Sequence, residues 1–419
     1  MQSLKKRNKK SIQFLVLALG FVCFFTTLTA CSPAQEKKKK PTIDVSKHFS
    51  DYVIGEKEVS IFKVKDKKHI EIGKVMANKA IALAPKNQQK MNQSYFKLRD
   101  YDYYIKAKEV TPDKEQVSES ISQAYQAIAK LTMKANYQIL NEMNEPLIKM
   151  KDATTFNAFI DEESRYGVSI NQKLYYLNKS DVASIETLNP SEAIAQSLPV
   201  LMYHVFYDAS KGEVGPDGNW VEVQALRSHL QYLKDNGYYT LTMKDVERYL
   251  DKKVTLKQNV VSITMDDGSK TVYDYAYPLL KEFKMNATAF LITGEFNDVK
   301  DTHWPEMVQN GIEIQSHSEG MHVGGCSGMG RGGRLMCVDT QTGIDDTKLS
   351  FQKVGNGFVY CYPYGDANDH AVDIVRQAGA RLAFTTQYGK ITPGMDKLRL
   401  PRVRIFGLDG LDRFIAGIK

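Results

Sequence analysis

The sequence predicts an α/β protein: a distorted (β/α)7-type barrel over its second half, preceded by small all-β modules. Three observations lead there. From Leu198 onward apolar strands alternate with amphipathic helices, the texture of βα units around a parallel sheet. Seven such strands fall within roughly 220 residues, which suits a closed barrel with its site at the carboxyl ends of the strands. Residues 50–112, by contrast, read as short alternating strands separated by turns.

Composition bounds the rest. The 419 residues are 42% apolar and 25% charged, enough to bury large cores and too apolar for wholesale disorder. At about 150 residues per domain the length implies two to three domains. Lys and Arg number 56 against 49 Asp and Glu, but five of the cations (Lys5, Lys6, Arg7, Lys9 and Lys10) crowd the first ten residues. The other 51 cations leave the rest of the chain at only +2, which argues against a nucleic-acid partner.

In chain order the first element is a leader, residues 1–30: a basic start, an apolar stretch from Ile12 to Phe25, then Leu28-Thr29-Ala30 before Cys31. A cysteine in that place resembles the bacterial lipobox, which implies a lipid anchor on Cys31 and the extracytoplasmic face of the cell membrane. The alternative, an uncleaved membrane span, is short for a bilayer core of ~30 Å. Residues 31–48 then read as a lipidated tether, whose Lys37–Lys40 run favours anionic lipid or is simply solvated. Of the five cysteines, Cys326 and Cys337 bracket a glycine-rich loop and are expected to pair in this disulfide-permissive compartment. Cys361, within an apolar strand, is expected to be a buried thiol.

Residues 49–113 carry six predicted strands, among them Val59–Val64, His69–Ile72 and Tyr95–Leu98. Residues 114–190 are expected to open with a helix over Lys114–Lys130 and then repeat the strand pattern from Tyr137 to Leu177. The Lys106–Val110 segment after the first unit and Asn178–Val182 after the second suggest a loose duplication. Both units resemble bacterial SH3-like modules, whose family role is binding cell-wall material. A spacer holding the following domain off the membrane fits them equally.

The domain over residues 196–419 has predicted strands Pro199–Phe206, Val260–Met265, Ala287–Ile292, Ile312–Ser316, Gly357–Tyr362, Leu382–Thr385 and Leu398–Ile405. Predicted helices include Val221–Asn236, Met243–Leu250, Val272–Phe283, Asp345–Val354 and Ala371–Ala378. Three strand ends bear chemistry. The strand Val261–Met265 finishes in Asp266-Asp267-Gly268, adjacent carboxylates that diverge, so one can bind a metal while the other faces a water. Ile312–Ser316 runs into His317 and His322, two imidazoles that can converge on a loop. With a carboxylate they make an open three-ligand site for zinc or a similar divalent ion. Phe358–Cys361 leads to Tyr362-Pro363-Tyr364-Gly365-Asp366, where the proline ends the ladder and the chain turns toward the barrel mouth.

In this order the three motifs resemble the polysaccharide deacetylases, the NodB-homology or carbohydrate esterase family 4 enzymes, over Ser197 to Lys419. The histidine spacing, the Tyr-Pro-Tyr-Gly-Asp form and the opening Pro199–His204 are most similar to the poly-N-acetylglucosamine deacetylase branch. The resemblance implies that Asp267, His317 and His322 hold the metal, Asp266 is the general base and the Tyr364 N–H stabilises the oxyanion. It also implies that Tyr362, Pro363 and Asp366 meet substrate. The sequence departs from the family in two places. Cys361 stands where many members carry a base-orienting arginine, and no histidine occurs near Leu398–Ile405, where the family's acid falls. His204, His370 or a metal-held water are the remaining acid candidates. The expected function is removal of N-acetyl groups from N-acetylglucosamine in peptidoglycan or a poly-N-acetylglucosamine exopolysaccharide. The alternatives are a non-catalytic wall- or polysaccharide-binding lipoprotein and an O-acetyl esterase of the xylan type. The Val323–Cys337 loop, with six glycines, reads as a substrate cover or a surface insertion.

Overall fold

Seven apolar runs form parallel strands that close on one another: β1 (Val200–Tyr203), β2 (Val260–Met265), β3 (Ala287–Leu291), β4 (Ile312–Ser316), β5 (Val359–Cys361), β6 (Leu382–Tyr388) and β7 (Leu400–Arg404). The computed structural model describes residues 49–89, 94–99, 102–114, 120–170, 172–296, 303–355 and 357–419. The leader, Cys31 and the lysine tether lie outside the described residues. Closure comes from β1, which pairs with β2 along its whole length and with β7 on its other side, Met202 opposite Arg404. All six residues of β2 are buried, as a strand covered on both faces requires. Helices pack outside: Val223–Asp235 lays Leu226, Leu230 and Leu233 against the barrel, and Met243–Leu250 starts at a capping box between Thr242 and Asp245. The strand expected over Pro199–Phe206 breaks at His204, with Val205–Tyr207 pairing elsewhere with Trp220–Glu222. That break delivers His204 to the carboxyl end of β1.

The N-terminal region consists of two β units with the same strand pairing. In the first, Tyr52–Ile54 lies between Ala80–Ala82 and Thr111–Asp113, while Val59–Lys65 pairs with both Lys68–Val75 and Tyr103–Lys106. In the second, Ala129–Met133 lies between Thr155–Asp161 and Val182–Thr187, while Tyr137–Leu140 pairs with Pro146–Met150 and Lys173–Asn178. Each unit ends in a strand, one 3₁₀ turn (Ala107–Glu109 or Lys179–Asp181) and a last strand. The suggested repeats Lys106–Val110 and Asn178–Val182 fall on these two turns. Pro146–Met150 also pairs with Lys68–Val75, so an eleven-stranded sheet runs through both units.

The helix expected over Lys114–Lys130 is a correction: its described residues are extended or turn, and Ala129–Met133 is a strand. The apolar spacing of Ile121, Ala124, Tyr125 and Ile128 imitates a helix. Instead Ala124 and Tyr125 are buried against the barrel, and Tyr125 bridges to Leu256. Burial at an interface outweighs the weak propensity of a short serine-containing segment.

The contact between the two regions is at the amino ends of the barrel strands. One core cluster joins the first residues of five strands (Val200, Val260, Val359, Leu382 and Leu400) to Tyr125, Leu140, Ile160, Leu174 and Tyr176 of the β region. Tyr125 donates to Asp245, and Arg248 reaches the hydroxyls of Tyr125 (3.4 Å) and Tyr176 (3.1 Å) inside this seam. The carboxyl ends of the strands are thereby left for chemistry. Among the described residues no helix is long and apolar enough to cross a membrane.

Candidate active site

The first carboxylate past β2 turns inward. Asp266 is 2% exposed, and Arg402 meets it with two parallel bonds, Nη1 to Oδ1 and Nη2 to Oδ2, both 2.7 Å. Burial alone would raise this carboxyl, but the guanidinium beside it, by charge and by hydrogen bonds, holds it well below the usual carboxylate range. Arg402 is fully buried on β7 and also donates to Thr264 Oγ1 and Thr385 O. Asp266 thus has an arginine partner, although the third motif offers none. Cys361 does occupy the third-motif position, with its sulfur 3.4 Å from Asp266 Oδ2 and 3.1 Å from Arg402 Nη2. The guanidinium arrives from a different strand, because barrel closure brings β7 to β1 and β1 to β2. A charged residue two places from Arg404 in an otherwise apolar strand was the available signal.

Asp267 diverges from its neighbour because it adopts φ +71°, followed by Gly268 at +79°. Two successive left-handed residues end the strand abruptly, and the second has space only for glycine: a Cβ there would stand 2.9 Å from Leu291. Asp267 Oδ1 lies 3.3 Å from His317 Nε2 and 3.5 Å from His322 Nε2. His317 is buried, with Nδ1 2.8 Å from the Cys361 carbonyl. A carbonyl only accepts, so Nδ1 carries a proton there, and Nε2 is the ring atom turned toward Asp267. The loop between the histidines is held by Asp346, whose carboxylate accepts from Glu319 N (3.1 Å) and Gly320 N (2.6 Å).

These three donor atoms suit a divalent ion. Bonds of about 2.0–2.1 Å around a tetrahedral zinc separate neighbouring donors by roughly 3.3–3.4 Å, close to the separations observed. Asp267, His317 and His322 all offer ligand atoms within 4.8 Å of one another. Asp266, His317 and Cys361 form a second trio of that size. There the carboxylate already holds a guanidinium, and a cation would compete with it.

The third motif flanks the histidines. Tyr364 has φ +60° and ψ 0°, its ring 4.7 Å from that of His322 and its hydroxyl donating to His322 O at 3.3 Å. The other three residues of the motif sit differently from the expectation that they meet substrate. Tyr362 is fully buried, packs edge-on against Tyr360 and donates to Leu398 O at 3.0 Å. Pro363 is buried in the turn. The Asp366 carboxylate accepts from the backbone N–H groups of Arg331 (3.0 Å) and Gly333 (2.9 Å), tying down the glycine-rich loop. The pattern read as substrate contact is thus a scaffold for Tyr364 and the loop, because an apolar strand end buries its own last aromatic.

Of the two histidines considered as acids, His204 stands beside the site, Nε2 3.9 Å from Asp266 Oδ2, with Nδ1 buried and unbonded. Burial lowers its pKa, partly offset by Asp266. His370 is elsewhere, bonded to Val338 O at 2.8 Å. Cys326 and Cys337 form a disulfide with Cα atoms 5.8 Å apart, and Cys361 is a free buried thiol.

A closed parallel barrel with two carboxylates and two imidazoles at its carboxyl rim defines a hydrolase-type site. Residues 253–383 match the polysaccharide deacetylase family model. That stretch runs from just before β2 to the start of β6 and so is similar to the family over most of the barrel. It is 29% identical over 231 residues to a Bacillus subtilis protein named "Putative polysaccharide deacetylase YxkH", covering 53% of this chain and 75% of that one. It is 28% identical over 198 residues to the poly-beta-1,6-N-acetyl-D-glucosamine N-deacetylase of Staphylococcus epidermidis, covering 43% of this chain and 66% of that one. Among solved structures, the Streptococcus pyogenes deacetylase PplD in complex with acetate aligns with 26% identity and a TM-score of 0.46, over 53% of this chain and 98% of that one.

Proposed function

We propose that the protein is a membrane-anchored, extracytoplasmic, metal-dependent N-deacetylase of N-acetylglucosamine polymers. The observation that carries this reading is the division of labour between adjacent carboxylates, Asp266 on a buried guanidinium and Asp267 on two imidazoles. In this reading a divalent ion held by Asp267, His317 and His322 supplies Lewis-acid polarisation of the acetyl carbonyl and lowers the pKa of a water. Asp266 is the general base. Arg402 keeps it ionised and fixes its plane, so that it accepts the proton of the water attacking the acetyl carbon. The Tyr364 N–H donates to the developing oxyanion. His204, with Nε2 3.9 Å from Asp266, passes to the departing amine the proton that Asp266 takes from the water, so that the C–N bond breaks to free the glucosamine amine and acetate. The leader with Cys31, and a disulfide of the kind that persists in oxidising compartments, support the extracytoplasmic placement. The repeated strand pairing supports division into β modules at 49–113 and 114–190. In this reading they are SH3-like and either contact wall material or space the barrel from the membrane.

The test is acetate release by the purified protein from peptidoglycan and from poly-N-acetylglucosamine, before and after chelation and zinc restoration, with Asp266→Asn in parallel. Release that zinc restores and Asp266→Asn abolishes is the expected result. Undiminished release by Asp266→Asn would remove Asp266 as base, and no release from either polymer would remove the deacetylase.

A further inference from the structure

Resting on the deacetylase reading, we propose that the Cys326–Cys337 disulfide is a redox-operated clamp on the active site, closed in an oxidising compartment and opened by a dithiol, small or protein-borne. The clamped segment begins at a metal-ligand candidate: His322 is followed at once by Val323, whose carbonyl accepts from Arg334 N at 2.9 Å. Between the cysteines the chain doubles back, with Gly325 N and Cys326 N donating to Gly332 O at 2.9 and 3.1 Å and Gly324 bridging to Gly333. Cys326 and Cys337 close this loop covalently. Its returning limb leans on the third motif. A Cβ at Gly333 would stand 3.2 Å from the Tyr364 ring, and the Asp366 carboxylate accepts from Arg331 N (3.0 Å) and Gly333 N (2.9 Å). Gly330 approaches the same carboxylate so closely that a Cβ there would collide with it.

Tyr364 is where the loop meets the chemistry. It is a non-glycine residue at φ +60°, a conformation that costs energy and persists only when its surroundings hold it. Its hydroxyl donates to His322 O at 3.3 Å and its ring lies 4.7 Å from the imidazole, so one side chain touches both ends of the loop. Covalent closure limits how far a segment with six glycines can wander. Without it the loop rests on Asp366 and a few backbone bonds at an exposed surface, where local opening requires little free energy. Once open, it withdraws support from the Tyr364 backbone, whose N–H serves the oxyanion, and from the His322 imidazole. The bond is open to exchange from one side, because Cys337 is exposed while Cys326 is 3% exposed in an apolar cluster with Tyr360 and Tyr362. The thiolate of a dithiol attacks the Cys337 sulfur, and Cys326 leaves as a thiolate and takes up a proton. The second thiol then resolves the mixed disulfide, so the dithiol is oxidised by two electrons and both cysteines end as thiols. Full activity is thereby confined to compartments where the disulfide persists.

The experiment compares the whole protein in its oxidised form with the same protein reduced by a dithiol, freed of the dithiol without air and reloaded with zinc. Peptide mapping of trapped thiols confirms the state of Cys326 and Cys337 in each sample. On reduction, kcat for acetate release from N-acetylglucosamine oligomers is expected to fall about tenfold with KM little changed. Zinc affinity should weaken about tenfold, and amide exchange should quicken across residues 323–337 and at Tyr364. Reoxidation should restore all three. The double variant Cys326→Ser/Cys337→Ser should match the reduced parent and ignore the reductant, while Asp366→Ala, lacking the other restraint, should widen the gap between oxidised and reduced forms. Equal kcat and equal zinc affinity in the two redox states would overturn the clamp, as would a loss accompanied by cooperative unfolding of the barrel in far-ultraviolet circular dichroism. Faster exchange and weaker zinc binding on reduction, in a protein that releases no acetate in either state, would sink the deacetylase reading and keep the clamp. Acetate release that reduction leaves untouched would do the reverse.

Discussion

The two ends of the barrel each bury an arginine and an aspartate near one another, and they behave differently. At the amino end, Asp245 accepts from Tyr125, and Arg248 is surrounded by the hydroxyls of Tyr125 and Tyr176. The groups are closed off beneath the β region, and the aspartate also caps its helix. At the carboxyl end, Arg402 clamps Asp266, but the next residue is left-handed, His204 has an unbonded Nδ1, and Arg404 has an unbonded Nε. A buried ion pair is thus no mark of a site by itself. The mark is unmet bonding capacity and backbone strain gathered where the barrel opens.

Four measurements break or sharpen this contrast. The largest effect is expected from Asp266→Asn, which keeps the shape but removes the base and the counter-charge of the buried Arg402: acetate release should fall by roughly 10²–10⁴-fold per folded molecule, and the melting temperature should fall as well. Arg402→Met leaves the Asp266 carboxylate buried and unpaired and should cost about 3–5 kcal/mol in chemical denaturation. Arg402→Lys, with one nitrogen where two were used, should recover only part of it. A buried polar group at neither end provides the third test. His229 donates to or accepts from Tyr203 at 3.1 Å, stacks on Phe414 at 4.1 Å, and is lowered by burial to a pKa of about 4. Above pH 6.5 it is neutral in both folded and unfolded chains, so it adds no pH dependence there. As pH falls from 6.5 toward 4 the unfolded chain takes up the proton first, and stability should decline by about 3 kcal/mol in total. Denaturation midpoints across that window should flatten in His229→Phe relative to the parent. The smallest effect is expected at the amino end: Tyr125→Phe removes one hydroxyl between Asp245 and Arg248, costing about 1–3 kcal/mol, with acetate release per folded molecule unchanged. A loss of turnover from that substitution would show that the two ends are coupled.

Much of the fold was legible in residue order. Strands β2 and β4 and the helix Met243–Leu250 begin and end where their apolar patterning puts them. The doublet Asp266-Asp267 and the histidines 317 and 322 stand at strand ends, as read. Other features were not legible, for identifiable reasons. The segment around Tyr125 has helical spacing and no helix, because its apolar residues are claimed by a second core. Tyr362 and Asp366 look like site residues in a motif, yet one is packed inside and the other secures a loop 33–35 residues earlier in the chain.

By itself the sequence determined which residues could carry chemistry: continuous apolar strands, three of them ending in polar groups, set the barrel and its rim, since local patterning is a matter of neighbours a few residues apart. Only the tertiary structure decided their partners. Asp266 and Arg402 are 136 residues apart and touch because β1 closes the sheet between β2 and β7. His317 and Cys361 are 44 apart and meet because β4 and β5 are adjacent. Charge pairing acts through space at a few ångströms, and distance along the chain carries no information about it until the barrel closes.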